Sequence, residues 1–297
     1  MNSTNSIIEP EGKKATLQGL VTLMRPRHWL KNVFVLAPLV FSGAFHDLGS
    51  IMKELLVTVL FCVASSAAYI VNDIQDIEYD RRHPRKSKTR PLASGEVLIP
   101  QALVLLALLY GVLIWGYFRL PAAVTVIFGY LMMNLAYSFS LKHQPVIDIF
   151  IVAMGFVLRV YAGAVALAVP LSSWMFVTTL CLALYLASVK RRQELALGGH
   201  DGRRVLQRYS VSLVDRYATM SATAALVFYS LFVVSARPEM VITIPFVLYG
   251  LLRYWYVVES QGGGESPTDA LLSDWHLALT CVIWISTCLW LLWSAGR

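Results

Sequence analysis

Long apolar runs alternate with short, strongly polar stretches along this chain. Nine of the runs approach the roughly 17–25 residues that a helix needs to cross a bilayer. They predict helices over Trp29–Phe45, Leu55–Ile77, Gln101–Phe118, Ala122–Leu141, Val146–Ala166, Ser172–Val189, Tyr217–Ser235, Val241–Val258 and Trp275–Trp293. Residues 1–14 are polar, lack the apolar stretch of a secretory signal, and predict a disordered tail. Residues 15–28 predict an interfacial helix ending at Arg25-Pro26-Arg27-His28, with Trp29 at headgroup depth. Residues 29–297 then read as one all-α membrane domain.

Composition agrees with the pattern. Apolar residues make up 57% of the chain and charged ones 14%, against about 25% charged in soluble domains. An integral membrane protein is expected, not a soluble or nucleic-acid-binding one. Cys62, Cys181, Cys281 and Cys288 all lie in apolar runs, with no disulfide or zinc spacing. Lysine and arginine settle the expected orientation. With the N-terminus in the cytoplasm, 19 of the 25 fall on the cytoplasmic side, 4 outside and 2 within helices. That asymmetry obeys the positive-inside rule and puts the C-terminus outside an inner membrane. The two longest connections, between expected helices 2 and 3 and between 6 and 7, are cytoplasmic and highly charged. Chemistry is expected there.

Three constellations could carry it. Taken as a continuing helix at about 100° per residue, Asn72, Asp73, Asp76 and Asp80 share one arc of roughly 100°. Like charges on one face repel, so a hard divalent ion such as Mg²⁺, itself holding a phosphate, is the expected partner. A basic stretch follows at once: Arg81, Arg82, His83, Arg85, Lys86, Lys88 and Arg90. Carboxylates for a metal beside cations for phosphate oxygens make both sides of a metal–diphosphate site. The same basic run could also bind anionic headgroups. A second group surrounds the turn between helices 4 and 5: Asn134, Tyr137, Ser138, Lys142 and Asp148. Arg159 lies eleven residues beyond Asp148 on nearly the same face, about 16 Å deeper. An arginine at that depth should face the protein interior, holding either a phosphate or another polar group. The third group is Lys190, Arg191, Arg192 and Glu194, at the end of helix 6.

Asn72-Asp73-x-x-Asp76-x-x-x-Asp80, followed by Arg81, His83-Pro84, Lys86 and Arg90-Pro91-Leu92-Ala93-Ser94-Gly95, resembles the first signature of the UbiA superfamily of intramembrane prenyltransferases. That resemblance implies nine transmembrane helices around a central cavity, cytoplasmic cap loops, and Mg²⁺ held by Asp73, Asp76 and Asp80. Most members carry a second Asp-x-x-x-Asp element on helix 6. Here Lys190 stands at its first aspartate and Glu194 at its second. Fewer carboxylates and more cations suit a substrate bearing more phosphate. The departure resembles one branch of the superfamily, the decaprenyl-phosphate phosphoribosyltransferases. These also share Arg25-Pro26-x-x-Trp29-x-Lys31-Asn32, Tyr137-Ser138-x-x-Leu141-Lys142-His143-Gln144 before Asp148, and Lys190-Arg191-x-x-Glu194.

The branch implies transfer of 5-phosphoribose from phosphoribosyl diphosphate to a polyprenyl phosphate in the membrane, with diphosphate released. Asp73, Asp76, Asp80 and Lys190 take the catalytic roles in that reading. Lys86, Arg90 and Lys142 position phosphates, and Lys31, Asn72, Arg81, Asn134, Tyr137, Asp148, Arg159, Arg191 and Glu194 complete the substrate contacts. No nucleic acid partner is expected, and a homo-oligomer is left open. Two rivals are an aromatic or quinone prenyltransferase using a prenyl diphosphate, and a polyprenyl-lipid transporter or flippase. The first needs the missing second acidic element; the second predicts broken helices or an internal repeat.

Overall fold

The computed structural model of this chain describes residues 16–84, 86–196, 204–260, 270–271 and 273–295. The expected disordered tail lies outside these residues. Helix α1, Leu17–Met24, begins at Thr16, whose side chain accepts a hydrogen bond from Gly19 N, and ends where Arg25 turns left-handed. The stretch predicted as the first straight helix is broken. It runs as a 3₁₀ helix over Pro26–Leu36, a short α2 over Ala37–Ser42 and a 3₁₀ turn over Ala44–His46. Pro26 and Pro38 each remove a backbone donor, and Gly43 takes a left-handed φ of 82°. Hydropathy reads apolarity but not these backbone gaps.

Helix α3, Leu48–Gln75, starts seven residues before the expected Leu55. Lys53 and Glu54 interrupt the apolar run. Asp47 nevertheless caps the helix, accepting from Gly49 N and Ser50 N. The connection that follows folds into three short helices: α4 (Ile77–Arg82), α5 (Lys86–Thr89) and α6 (Pro91–Ser94). The remaining long helices are α7 (Ile99–Arg119), α8 (Pro121–Phe139), α9 (Ile147–Ala166), α10 (Ser173–Ala196), α11 (Val211–Ala236), α12 (Ile244–Ser260, entered through a 3₁₀ turn at Pro238–Thr243) and α13 (Trp275–Ala295). Helix α10 continues seven residues past its expected end at Val189. Lys, Arg, Gln, Glu, Leu and Ala are all good helix formers, so charge alone does not stop it.

Among the described residues, eight helical stretches are long and apolar enough to cross a membrane, so the chain is a multi-pass membrane protein. Helices α7 to α11 each pack against the next in order. Helix α3 lies against α7 and α8, and α12 against α13, which returns to touch α2 and closes the circuit. One apolar core joins α1, α3, α7 and α8 around Leu60, Phe61, Leu113 and Ile127. A second joins α10 and α12 around Tyr185, Val189, Tyr254 and Val257. Because successive helices reverse direction, the end of α3, the turn between α8 and α9, and the end of α10 all reach the same end of the bundle. The polar clusters gather there.

Candidate active site

Asp73 is buried on the last turn of α3, where the backbone is still regular. The helix then breaks at Asp76 (φ −92°, ψ 8°) before α4 begins. The backbone bonds still run through this turn, from Asp76 N to Asn72 O at 2.9 Å and from Asp80 N to Asp76 O at 2.8 Å, so it is a local departure from the continuing helix assumed from sequence. Asp73 and Asp80 stay on one side. Arg25 Nη2 donates to Asp73 Oδ1 at 2.5 Å, and Arg90 donates to the same oxygen. Arg90 also lies 3.9 Å from Asp80 Oδ2, and Lys86 Nζ sits 3.2 Å from Asp80 Oδ1. Asp76 turns elsewhere. It takes Lys142 Nζ at 2.8 Å and Asn72 Nδ2 at 3.2 Å, while Ser138 Oγ donates to Asn72 Oδ1 at 3.3 Å. Like carboxylates stay close only with cations between them. Among the described residues, four cations serve three carboxylates.

A second cluster is more deeply buried. Arg191 Nε donates to Asp148 Oδ2 at 2.8 Å, Nη1 to Glu194 Oε2 at 2.5 Å, and Nη2 to Tyr137 Oη at 3.3 Å. The Arg191 side chain is 4% exposed and that of Asp148 is fully buried. Tyr209 donates to Asp148 Oδ1 at 2.7 Å and accepts from Val146 N at 2.6 Å. Burial pushes the Tyr209 hydroxyl above the ordinary phenol range, which keeps it a donor. Val146 has φ 69°, a left-handed value costly for a β-branched residue. The bond from its N–H to Tyr209 helps to hold that turn. Lys190, one residue before Arg191, has Nζ 4.0 Å from Glu194 Oε1 and a side chain 34% exposed.

The other expected contacts fall outside these clusters. Arg159 has no carboxylate partner among the described residues. Its guanidinium donates to Asn32 Oδ1, Gly155 O, Ser65 Oγ and Tyr130 Oη at 2.7–3.2 Å, and Tyr130, Phe61 and Phe156 stack around it. It pins α9 to α3, α8 and the 3₁₀ segment. Asn134 spends its amide on Tyr130 O of its own helix at 2.8 Å. Arg81, next to buried Asp80 on α4, is exposed and lines a surface hollow with Ile77, Leu92 and Val97. Lys31 is half-buried on the 3₁₀ segment. Sequence reasoning placed Ser138 in the second group without giving it a substrate or catalytic role, and assigned no site role to Arg25 or Tyr209. The signal for Arg25 was its position in Arg25-Pro26, and for Ser138 its place one turn after Asn134. Nothing local marks Tyr209.

The side chains fit a divalent ion in one respect and oppose it in another. No three metal-ligating residues converge among the described residues, because cations occupy the carboxylates. Yet Asp73 Oδ2 is buried with no hydrogen-bond partner. An unsatisfied buried carboxylate oxygen is costly and suits a ligand that supplies positive charge. A hard ion fits once the lysines and arginines move to another anion.

Comparison with known proteins bears on the same residues. The sequence profile of the UbiA prenyltransferase family matches residues 33–278. A decaprenyl-phosphate phosphoribosyltransferase of Mycolicibacterium smegmatis is 36% identical over 92% of this chain and 92% of its own length. One of Mycobacterium tuberculosis is 37% identical over 91% of this chain and 92% of its own. Among solved structures, a UbiA homolog from Archaeoglobus fulgidus bound to GPP and Mg²⁺ superposes with TM-score 0.71. It is 17% identical, over 92% of this chain and 99% of that one.

Proposed function

The chain belongs to the UbiA prenyltransferase family, and from that premise we propose that it moves 5-phosphoribose from phosphoribosyl diphosphate to a polyprenyl phosphate. One observation carries the reading. At the polar end of the bundle, Arg25, Lys86, Arg90 and Lys142 outnumber the described carboxylates they pair with, and Lys190 lies near the end of α10, 4.0 Å from Glu194. A pocket with cations in excess suits a donor with two phosphorylated ends and an acceptor with a third phosphate. The activity for which the mycobacterial relatives are named is of this kind.

In the reaction, an oxygen of the lipid phosphate attacks C1 of the ribose. The C1–O bond to diphosphate breaks, and its electron pair leaves with the diphosphate. The attacking oxygen is already ionised, so no side chain needs to take a proton. Lys86, Arg90 and Lys142 exchange carboxylate oxygens for phosphate oxygens and orient the donor. Lys190 reaches toward a further phosphate, while the Arg191–Asp148–Tyr209 cluster holds the ends of α9 and α10 in register. Asp73, Asp76 and Asp80 would hold Mg²⁺, which when bound neutralises charge on the departing diphosphate. The magnesium bound to the Archaeoglobus homolog supports a divalent ion here.

The polar end faces the cytoplasm of an inner-membrane protein in this reading. There, phosphoribosyl diphosphate meets the site without crossing lipid. The pieces from Pro26 to Ser42 sum to a helical length of about 31 Å, from about 2.0 Å per 3₁₀ residue and 1.5 Å per α residue. That is enough to cross as a ninth pass and place the C-terminus outside. The test is direct. Purified protein in lipid vesicles receives either labelled phosphoribosyl diphosphate with polyprenyl phosphate, or a prenyl diphosphate with 4-hydroxybenzoate. Labelled lipid in the first arm is expected. Product only in the second would replace the assignment with an aromatic prenyltransferase.

A further inference from the structure

Arg25 stands at the junction between α1 and the 3₁₀ segment with φ 55°, a backbone value uncommon for a residue with a Cβ. Such strain persists only where the surroundings over-determine it. Here one stripe of α3 does so. Ser66 Oγ shares its proton between Met24 O at 2.9 Å and Cys62 O at 3.0 Å and accepts from Trp29 Nε1 at 3.0 Å, so it holds the backbone before Arg25 and the Trp29 side chain after it. Ahead of it, Leu23 is fully buried. Thr16 Oγ1 donates to Glu96 Oε1 at 2.6 Å, tying α1 to the residue after Gly95. Tyr69, one turn beyond Ser66, lies under the guanidinium, 4.7 Å from ring centre to Cζ. Asp73, another turn on, takes Nη2 at 2.5 Å. Spacings of three and four residues place Ser66, Tyr69 and Asp73 on one face. The strained turn is built to deliver this guanidinium to this carboxylate.

That delivery has a consequence for metal binding. Arg25 and Arg90 share Asp73 Oδ1, and Asp73 Oδ2 is buried without a partner. An ion arriving alone must displace a guanidinium that gains no new anion in return. An ion arriving with a phosphorylated substrate brings that anion, and the Tyr69 ring keeps the guanidinium nearby while it turns. We propose that Arg25 is a tethered competitor for the divalent ion at Asp73, which makes metal binding weak until a phosphorylated donor binds with it. The inference rests on the metal assignment above and couples the two ligands through one side chain.

The test separates this idea from the identity of the donor. Full-length protein in lipid nanodiscs is titrated with Mn²⁺ alone, and free Mn²⁺ is read by electron paramagnetic resonance with no donor present. A neighbouring opposite charge changes a carboxylate's cation affinity by about ten- to a thousandfold, and Arg90 remains, so Arg25→Gln should tighten Mn²⁺ by about tenfold. Arg25→Lys keeps the charge and should stay close to wild type. Arg25→Gly removes the charge and relieves the left-handed backbone, so it decides the matter if the glutamine variant does not fold. Unchanged or weaker Mn²⁺ binding in the folded charge-removing variants would overturn the proposal. In a second arm, Arg25→Gln should raise KM for phosphoribosyl diphosphate, with partial recovery in Arg25→Lys. If wild type turns over no phosphoribosyl diphosphate, the donor assignment falls, while the Mn²⁺ arm still decides the role of Arg25.

Discussion

Replacing Asp148 by Asn distinguishes a scaffold from a substrate site. Asp148 is fully buried and receives Arg191 and Tyr209 at 2.8 and 2.7 Å. Removing one partner of a buried pair costs about 3–5 kcal/mol, because the other charge stays buried. Asparagine can still accept from Tyr209, and Arg191 keeps Glu194, so the lower end applies: about 3 kcal/mol. For a chain of this size each kcal/mol moves Tm by about 2–4 °C, which gives a loss of roughly 6–12 °C. The assay is tryptophan-fluorescence melting in detergent, followed by turnover at a temperature where the variant remains folded. KM for phosphoribosyl diphosphate should then match wild type. Asp215→Asn supplies the contrast. Arg192 bonds Asp215 at 2.8 Å, but that carboxylate is 34% exposed, and pairs of that kind are worth about 0–1 kcal/mol. An Asp148→Asn protein with unchanged Tm and a strongly raised donor KM would refute the scaffold reading and return Arg191 to the substrate.

Asp73→Asn and Asp76→Asn should each abolish turnover and Mg²⁺ dependence while the helical circular-dichroism spectrum persists; near-normal turnover in both would sink the metal assignment. Lys190→Asp should weaken donor binding far more than lipid binding, since losing a charge-assisted contact costs about 2–5 kcal/mol; isothermal titration with each ligand separates the two. In a cysteine-free background, a cysteine at Ser87 should react with an impermeant thiol reagent only after the membrane is opened, and one at Gly49 in intact spheroplasts. The reverse pattern would put the carboxylates outside and end the phosphoribosyl reading.

What could be read from the sequence was what neighbours in the chain decide. The apolar runs gave the long helices, and the spacing of Asp73, Asp76 and Asp80 with the nearby cations located the polar end. Partners distant in the chain could not be read. Arg159 was legible as an interior guanidinium that would hold either a phosphate or another polar group, but not which. Two of its four acceptors, Asn32 and Ser65, lie 127 and 94 residues away. Arg191 and Asp148 were both legible as candidates, but not as each other's counter-ion, and Tyr209, which completes the group, carries no local mark. Backbone breaks were the other blind spot. A hydropathy window passes over Pro26, Pro38 and the turn at Asp76 alike.

The carboxylate trio shows what spacing alone leaves out. An arc of aspartates on an unbroken helix predicts three charges aimed at one ion. Electrostatics admits a second solution: basic side chains from elsewhere in the fold pair with the carboxylates. The chain adopts the second, with Arg25 from before the first apolar segment, Lys86 and Arg90 from the connection after α3, and Lys142 from the turn after α8. Those cations come from three separate parts of the sequence, so no local motif contains the whole site. Each can release a carboxylate only by finding another anion. Under the proposed function, a site assembled this way would bind metal weakly until a phosphorylated donor supplied that anion.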